Sequence, residues 1–424
     1  MAEPEDAQCS VSWYHRGDDP GLSFDEPFCI SERGCDYLLR RLTASDADVD
    51  RLEALLETVR FDANKDEWLT LLRLDDVFAT GVFDAGGALV GVTTCVRYRI
   101  GDDGDDRDDR DARFGWCGNV VVRSAWRGRG VARALLRGAL EDVGAHRTAW
   151  LDASEMGAPL YEKAGFEAQS VVVAWTKTVS ADDVSADDAT CRDASGTKDA
   201  REGQDADVAE TRFFSGVVRA DDADAMRVLR RMDASVFGAD REALLRAWLD
   251  SAAPDASFLD ERVGYALAHR RGDATVLGPW GLAEAVGVAP ASASRRGEGP
   301  RARETKTDAA AFVDAAVRRA VAAAARAARA EGKSTARVVA YVPEPLARSR
   351  GNGASGEGAE ASLEEEGILA AGALMADALA RLGFARADAT TRMARRDPTC
   401  GGARAIAVPG CPDRALTVAS LDLG

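Results

Sequence analysis

Six consecutive residues, Arg127, Gly128, Arg129, Gly130, Val131 and Ala132, join two segments of unlike pattern. Before them, Gly118 to Val122 ends in three valines, a β-branched apolar run that predicts a buried strand. After them, apolar residues at Val131, Leu135, Leu136, Ala139, Leu140 and Val143 fall along one helical face. A strand that hands over to a helix through an Arg/Gly turn gathers backbone N–H groups at the positive end of the helix dipole. Glycine lets an anion approach the backbone closely, and Arg127 and Arg129 add positive charge. The chemistry this suits is the holding of a phosphate or diphosphate. Taken alone, the same composition also suits an ordinary tight connection.

A second element follows in order. Thr148 to Ala153 reads as a strand, and Ser154 to Phe166 reads as a short helix ending in Tyr161-x-x-x-Gly165-Phe166. The pair of motifs, Arg127-x-x-Gly130-x-Ala132 and then Tyr161-x-x-x-Gly165-Phe166, resembles the GNAT superfamily of acetyl-CoA-dependent N-acetyltransferases. The resemblance implies acetyl-CoA as co-substrate and no metal, with the diphosphate on residues Arg127, Gly128, Arg129, Gly130, Val131 and Ala132. It implies a pantetheine arm added along the backbone of Val120, Val121 and Val122 like an extra strand. Tyr161 would be the acid that protonates the departing thiolate, against the plainer reading of a core aromatic on its helix. The implied reaction is direct attack, in a ternary complex, by a primary amine of a small molecule or protein. The alternative is a non-catalytic acetyl-CoA-binding regulatory module. The chain also departs from the pattern. Ser154 stands where the family often carries Asn, and Gly157 where Ala is common. No Asp or Glu lies between Phe114 and Val122. Asp152 and Glu155 are substitutes for a general base, each more simply read as structural, so the base is unassigned.

The elements that must position these groups are legible upstream. A strand is predicted from Tyr37 to Leu42, then a helix from near Ser45 with Leu52, Leu55, Leu56 and Val59 on its apolar side. A second helix spans Lys65 to Leu72. Strands Val77 to Phe83 and Leu89 to Tyr98 flank the turn at Asp84, Ala85, Gly86 and Gly87. Gly101 to Arg113 reads as a solvated Asp/Arg loop, Phe114 to Val122 as the central strand and Ser170 to Thr178 as the closing strand. This order is what one GNAT domain, residues 37–178, requires. Residues 1–36 read as an extension, and 179–211 as an acidic linker too poor in apolar residues to fold alone.

Residues 212–424 then resemble a degenerate second copy. Ala44 to Arg51 followed by Phe61 recurs as Ala220 to Arg227 followed by Phe237, and Glu162 to Phe166 is echoed by Ala380 to Phe384. Strands are predicted at Val263 to Arg270, up to Gly278-Pro279-Trp280, and at Ala336 to Val342. A long helix runs Ala309 to Ala330, and Ser349 to Glu366 is an insert. Val236 to Arg241, Gly264-Tyr265, Gly278-Pro279-Trp280 and the closing Ala419 to Gly424 resemble the C-terminal domain of YitH-like tandem acetyltransferases. Arg296 to Arg301 breaks the cofactor pattern and reads as a solvated insert. Leu379 stands where Tyr161 would and has no proton to give, while roles for Tyr265 and Tyr341 stay open. The fold class expected is α/β (α+β), two tandem GNAT-like domains, each a mixed, mostly antiparallel twisted sheet flanked by helices.

Composition sets bounds. At 424 residues the chain has room for two domains of roughly 150–200 residues. A net charge of −17 argues against nucleic acid, which needs clustered cations, and leaves a cationic amine unrepelled. Eight cysteines without a Cys-x-x-Cys pair and three distant histidines argue against zinc. No signal-like start and no long uncharged run predict a soluble, intracellular (cytoplasmic) protein that does not enter membranes.

Overall fold

The computed structural model describes residues 28–32, 35–59, 65–99, 112–144, 147–182, 215–251, 255–283, 300–345 and 363–395. The first half runs β1 (Phe28–Glu32), β2 (Cys35–Arg41), α1 (Asp46–Val59), α2 (Lys65–Leu72), β3 (Val77–Phe83), β4 (Leu89–Arg99) and β5 (Ala112–Val122). It continues with α3 (Val131–Val143), β6 (Thr148–Ala153), α4 (Ala158–Lys163) and β7 (Glu167–Ser180). The second half runs β8 (Ser215–Val217), α5 (Ala223–Phe237), α6 (Glu242–Asp250), β9 (Phe258–Asp260), β10 (Gly264–Arg271) and β11 (Ala274–Leu282). It closes with α7 (Pro300–Ala330), β12 (Thr335–Pro345), α8 (Leu363–Arg381) and β13 (Ala385–Arg395). From β2 to β7 and from β8 to β13 the sequence of strands and helices is the same, so the chain repeats one fold.

The helices form where apolar residues recur on one face. In α1, Val49, Leu52, Leu55 and Leu56 are buried; in α3, Val131, Leu135, Leu136, Ala139 and Val143 are. The start of α5 is fixed by the Asp222 carboxylate, which accepts from the N–H groups of Asp224 (3.1 Å) and Ala225 (3.0 Å).

All thirteen described strands join one sheet, in the order β1-β2-β3-β4-β5-β6-β13-β7-β12-β11-β10-β9-β8. Two neighbouring pairs are parallel, β5 with β6 and β11 with β12; the others are antiparallel. The two halves exchange their last strands. β13 of the second half lies between β6 and β7 of the first, and β7 pairs along its length with β12 of the second. Alternation across β7 sends Val172 and Ala174 to one face, with α5 and α6, and Val173 and Trp175 to the other, with α7 and α8. The rings of Tyr98, Phe114 and Phe237 meet across the halves at 4.8–5.6 Å between centroids. An Arg271–Glu67 ion pair of 3.4 Å also crosses between them.

Several expectations change. β1 lies inside the stretch read as an extension, and pairs with β2. The insert read at Arg296 to Arg301 gives way at Pro300, where α7 begins nine residues before Ala309. Proline suits a first helical position, because its missing N–H has no partner there in any helix. α8 likewise begins at Leu363, inside the stretch read as an insert. Each half does not close its own sheet, since a strand-exchange partner more than 200 residues away leaves no mark on local pattern. Most of the Asp/Arg loop, the linker, residues 284–299 and the chain after Arg395 lie outside the described residues.

Candidate active site

β5 carries the site because it changes partners along its length. It pairs with β6 only from Phe114 to Trp116, opposite Thr148 to Trp150. Beyond Trp116 the two strands part, leaving the β6-facing edge of Cys117 to Val122 open to an extended ligand. A bulge lies on the other edge of this same stretch. Gly118 pairs with Thr94 and Val121 with Val92, so Asn119 and Val120 together face Thr93. Asn119 takes a left-handed φ of 52° and is held there by its Nδ2, which donates to Thr94 Oγ1 at 3.0 Å. The Gly118-Asn119 pair inside a valine-rich run was the sequence signal for this bulge, since both residues are depleted from strand interiors.

The turn after β5 is braced on three sides. The Tyr37 hydroxyl donates to the Arg129 carbonyl at 3.1 Å, and the Arg129 guanidinium lies 5.0 Å over the Trp126 ring. Arg127 Nε donates to the Val122 carbonyl at 3.1 Å, and its Nη1 lies 3.9 Å from Met156 Sδ. Gly128 and Gly130 hold φ values of 74° and 91°, which other residues adopt only under strain. No side chain caps α3, whose cap residue is Gly130. The N–H groups of its first turn therefore have no partner within the helix and face the end of the turn.

A cleft of about 980 Å3 opens at this point. It is lined by Val120, Val121, Val122, Arg127, Gly128, Gly130, Val131 and Ala132, so eight of the nine expected cofactor contacts come together there. Arg129 is the exception, its side chain being stacked on Trp126 instead of lining the cleft. Tyr161 lines the same cleft, 7 % exposed, with its ring edge-on to Phe166 at 6.0 Å. The cleft's charged lining is Arg127, Arg133, Arg137, Lys163 and Arg395, with no carboxylate among them. In a chain of net charge −17, a cleft whose charged lining residues are all cationic offers an attractive field to an anion.

The segment before Tyr161 explains two departures noted in the sequence. Ser154 starts the α4 turn, its carbonyl accepting from Gly157 and Ala158 at 3.0 and 2.9 Å and its Oγ from Gly157 at 3.2 Å. At Gly157 a Cβ would lie 2.9 Å from Tyr161 Cε2, so the absence of a side chain there sets the ring's position. Of the two substitute bases, Asp152 is committed elsewhere. Its oxygens accept from Arg392 Nε and Nη2 at 3.0 and 3.1 Å, both side chains being almost wholly buried. Glu155 is exposed on the turn and does not line the cleft. Sequence reasoning missed Arg133, Arg137, Met156, Lys163 and Arg395 as lining residues.

In the second half Tyr265 is bound into the core. The Tyr265 hydroxyl donates to Asp233 Oδ1 at 2.7 Å, inside a buried pair in which Arg241 Nε and Nη2 each lie 2.7 Å from the same carboxylate. Burial raises the Tyr265 hydroxyl's pKa well above that of an ordinary phenol, with Asp233 adding to the effect. It is a structural donor. Tyr341 is packed in the same apolar cluster. Leu379 is fully buried. Among the described residues no three His, Cys, Asp or Glu side chains gather as metal ligands, and no helix is long and apolar enough to cross a membrane.

Residues 80–168 match a family described as acetyltransferase (GNAT) domain, and residues 229–287 match a second family of the same description. The first match contains the turn, α3, β6 and α4; the second ends before α7. Among solved structures, a putative acetyltransferase from Pyrococcus horikoshii is 15 % identical with a TM-score of 0.49, covering 92 % of this chain and 96 % of its own. A GCN5-related N-acetyltransferase from Sphaerobacter thermophilus is 15 % identical with a TM-score of 0.44, covering 85 % and 96 %. A tandem GNAT protein from the clavulanic acid biosynthesis pathway is 13 % identical with a TM-score of 0.40, covering 85 % and 98 %. No curated protein matches the chain. Two acetyltransferase (GNAT) domains are thus matched on one chain, in the same tandem order in which its element sequence is used twice.

Proposed function

We propose that the protein transfers acetyl from acetyl-CoA to a primary amine, of a small molecule or a protein, in the cleft of its first half. The observation that carries this reading is a cleft whose charged lining residues are all cationic, and which both an uncapped, glycine-led helix start and Tyr161 line. The donor set fits the co-substrate: first-turn N–H groups and Arg127 suit a diphosphate, and the open edge of Val120 to Val122 suits the peptide-like pantetheine. When bound, acetyl-CoA supplies an acyl carbon activated as a thioester.

The chain's own part is to position and to move protons. An alkylamine of pKa near 10 is neutral in roughly one molecule in 10³ at pH 7, about 4 kcal/mol to be overcome before attack. Asp152 cannot remove that proton while Arg392 holds both its oxygens. Deprotonation falls to a water chain or to a desolvating acceptor pocket. Nitrogen then bonds to the acyl carbon, the C–S bond breaks, and the Tyr161 hydroxyl gives its proton to the departing sulfur.

Release of free CoA thiol, followed over a panel of amines, polyamines, amino acids and peptide N-termini, tests the proposal. Tyr161→Phe should lower kcat by ~10²–10⁴-fold and leave acetyl-CoA affinity nearly unchanged. The absence of a base among the cleft's lining residues favours a second reading, a non-catalytic acetyl-CoA sensor. Tight binding with no thiol release over the whole panel would support the sensor and contradict the enzyme.

A further inference from the structure

The exchanged strand brings a residue of the second half to the first half's cleft. β13 is locked on β6 by the buried Arg392–Asp152 pair and by a register that sets Arg395 opposite Ala149. Arg395, three residues beyond Arg392, thus arrives at a fixed place beside the end of α4, its Nε 3.8 Å from where a side chain on Gly165 would begin. It is half-buried, it lines the cleft, and no carboxylate pairs with it among the described residues. Lys163, in the last turn of α4 and two residues before Gly165, lines the cleft too. Arg137 lines it from α3, six residues past Val131 and so about 9 Å further along the helix. Arg395, Lys163 and Arg137 belong to three elements, β13, α4 and α3, and none of them is part of the turn that suits a diphosphate.

Resting on the acetyl-CoA reading above, we infer that Arg395 binds the phosphate monoester at the adenosine end of the coenzyme, so that the second half completes the first half's site. A monoester carries close to two negative charges at pH 7, and an arginine fork matches its oxygens in pairs. The second half then acts as a specificity element: it makes the cleft distinguish a coenzyme that bears this phosphate from one that lacks it.

Titration calorimetry of the full chain with CoA and with 3′-dephospho-CoA tests this. The native protein should prefer CoA by about tenfold or more. Arg395→Ala should cut that preference to within about threefold by weakening CoA alone, and Arg395→Lys should keep part of it. Affinity for 3′-dephospho-CoA is the internal control, because a merely structural role would weaken both ligands. Equal loss of both ligands in Arg395→Ala, or an unchanged preference, overturns the inference and leaves the acetyl-CoA reading standing. Failure of the native protein to bind either ligand overturns both.

Discussion

The two halves keep one frame and differ at the few positions that chemistry needs. In the first, Phe166 N–H donates to the Tyr161 carbonyl at 3.0 Å across Gly165, whose φ is 86°. In the second, Phe384 N–H donates to the Leu379 carbonyl at 2.9 Å across Gly383, whose φ is 79°. The same turn thus presents a phenol in one half and a fully buried leucine in the other. The bulges correspond too: Asn119 and Val120 face Thr93, while Gly278 and Pro279 face Leu267. After the bulge the halves diverge again. A glycine turn leads into the thirteen residues of α3, whereas α7 runs thirty-one residues from Pro300. Packing preserves the frame in both halves, because both belong to one sheet and one must fold for the other to close.

That contrast can be broken at matched positions. At Tyr161 the loss should be of chemistry, the 10²–10⁴-fold fall in kcat given above, with stability little changed. At Leu379, 0 % exposed, the loss should be of stability: Leu379→Ala should destabilise by about 2–5 kcal/mol, seen as a lower denaturant midpoint. Acetyl-CoA affinity per folded molecule should stay near native. A Leu379→Ala protein that folds normally but no longer binds would show that the second half has a ligand-facing role at that position.

The second half also carries a pH-sensitive group. His269 is buried against Trp248, and burial pushes its imidazole from 6.5 down to about 4, with its Nδ1 3.1 Å from the Gly278 carbonyl. Above pH 6.5 it is neutral folded or unfolded and its contribution is whole. As the pH falls from 6.5 to about 4 the unfolded chain takes up the proton first, so stability falls, by about 3 kcal/mol in all. Unfolding midpoints measured across that range should show a slope that His269→Gln reduces; equal slopes in the two proteins would remove His269 from the account. The smallest effect is expected at Gly157. A methyl group there must displace the Tyr161 ring, and Gly157→Ala should lower kcat by about tenfold while sparing acetyl-CoA affinity. Unchanged turnover would mean that the ring's position is not set by this contact.

What the sequence disclosed follows the same division. The strand, turn and helix around Gly130 were legible because their signals are local: a valine run, glycines where the chain turns, apolar residues at helical spacing. Tyr161 was legible through its fixed distance to Gly165-Phe166. The exchanged strand was not. Arg392 reaches Asp152 across 240 residues, and a charged residue in a strand gives no sign of being buried. Half the signal was present, since a carboxylate inside Trp150-Leu151-Asp152-Ala153 calls for a cation if that strand is covered on both faces. Arg395 escaped for the same reason. Pro300 was misplaced because proline breaks a helix interior but suits its first turn, and sequence alone did not show which applied.

The central proposal is that the first half's cleft holds the nucleotide thioester through the start of α3. Calorimetric titration of the intact chain with acetyl-CoA measures it directly. The account predicts one acetyl-CoA bound per chain, and binding weakened by at least about tenfold in Arg127→Glu, where a cation facing the diphosphate becomes an anion. Two bound per chain, no binding, or an Arg127→Glu protein that binds as the native one does would contradict it.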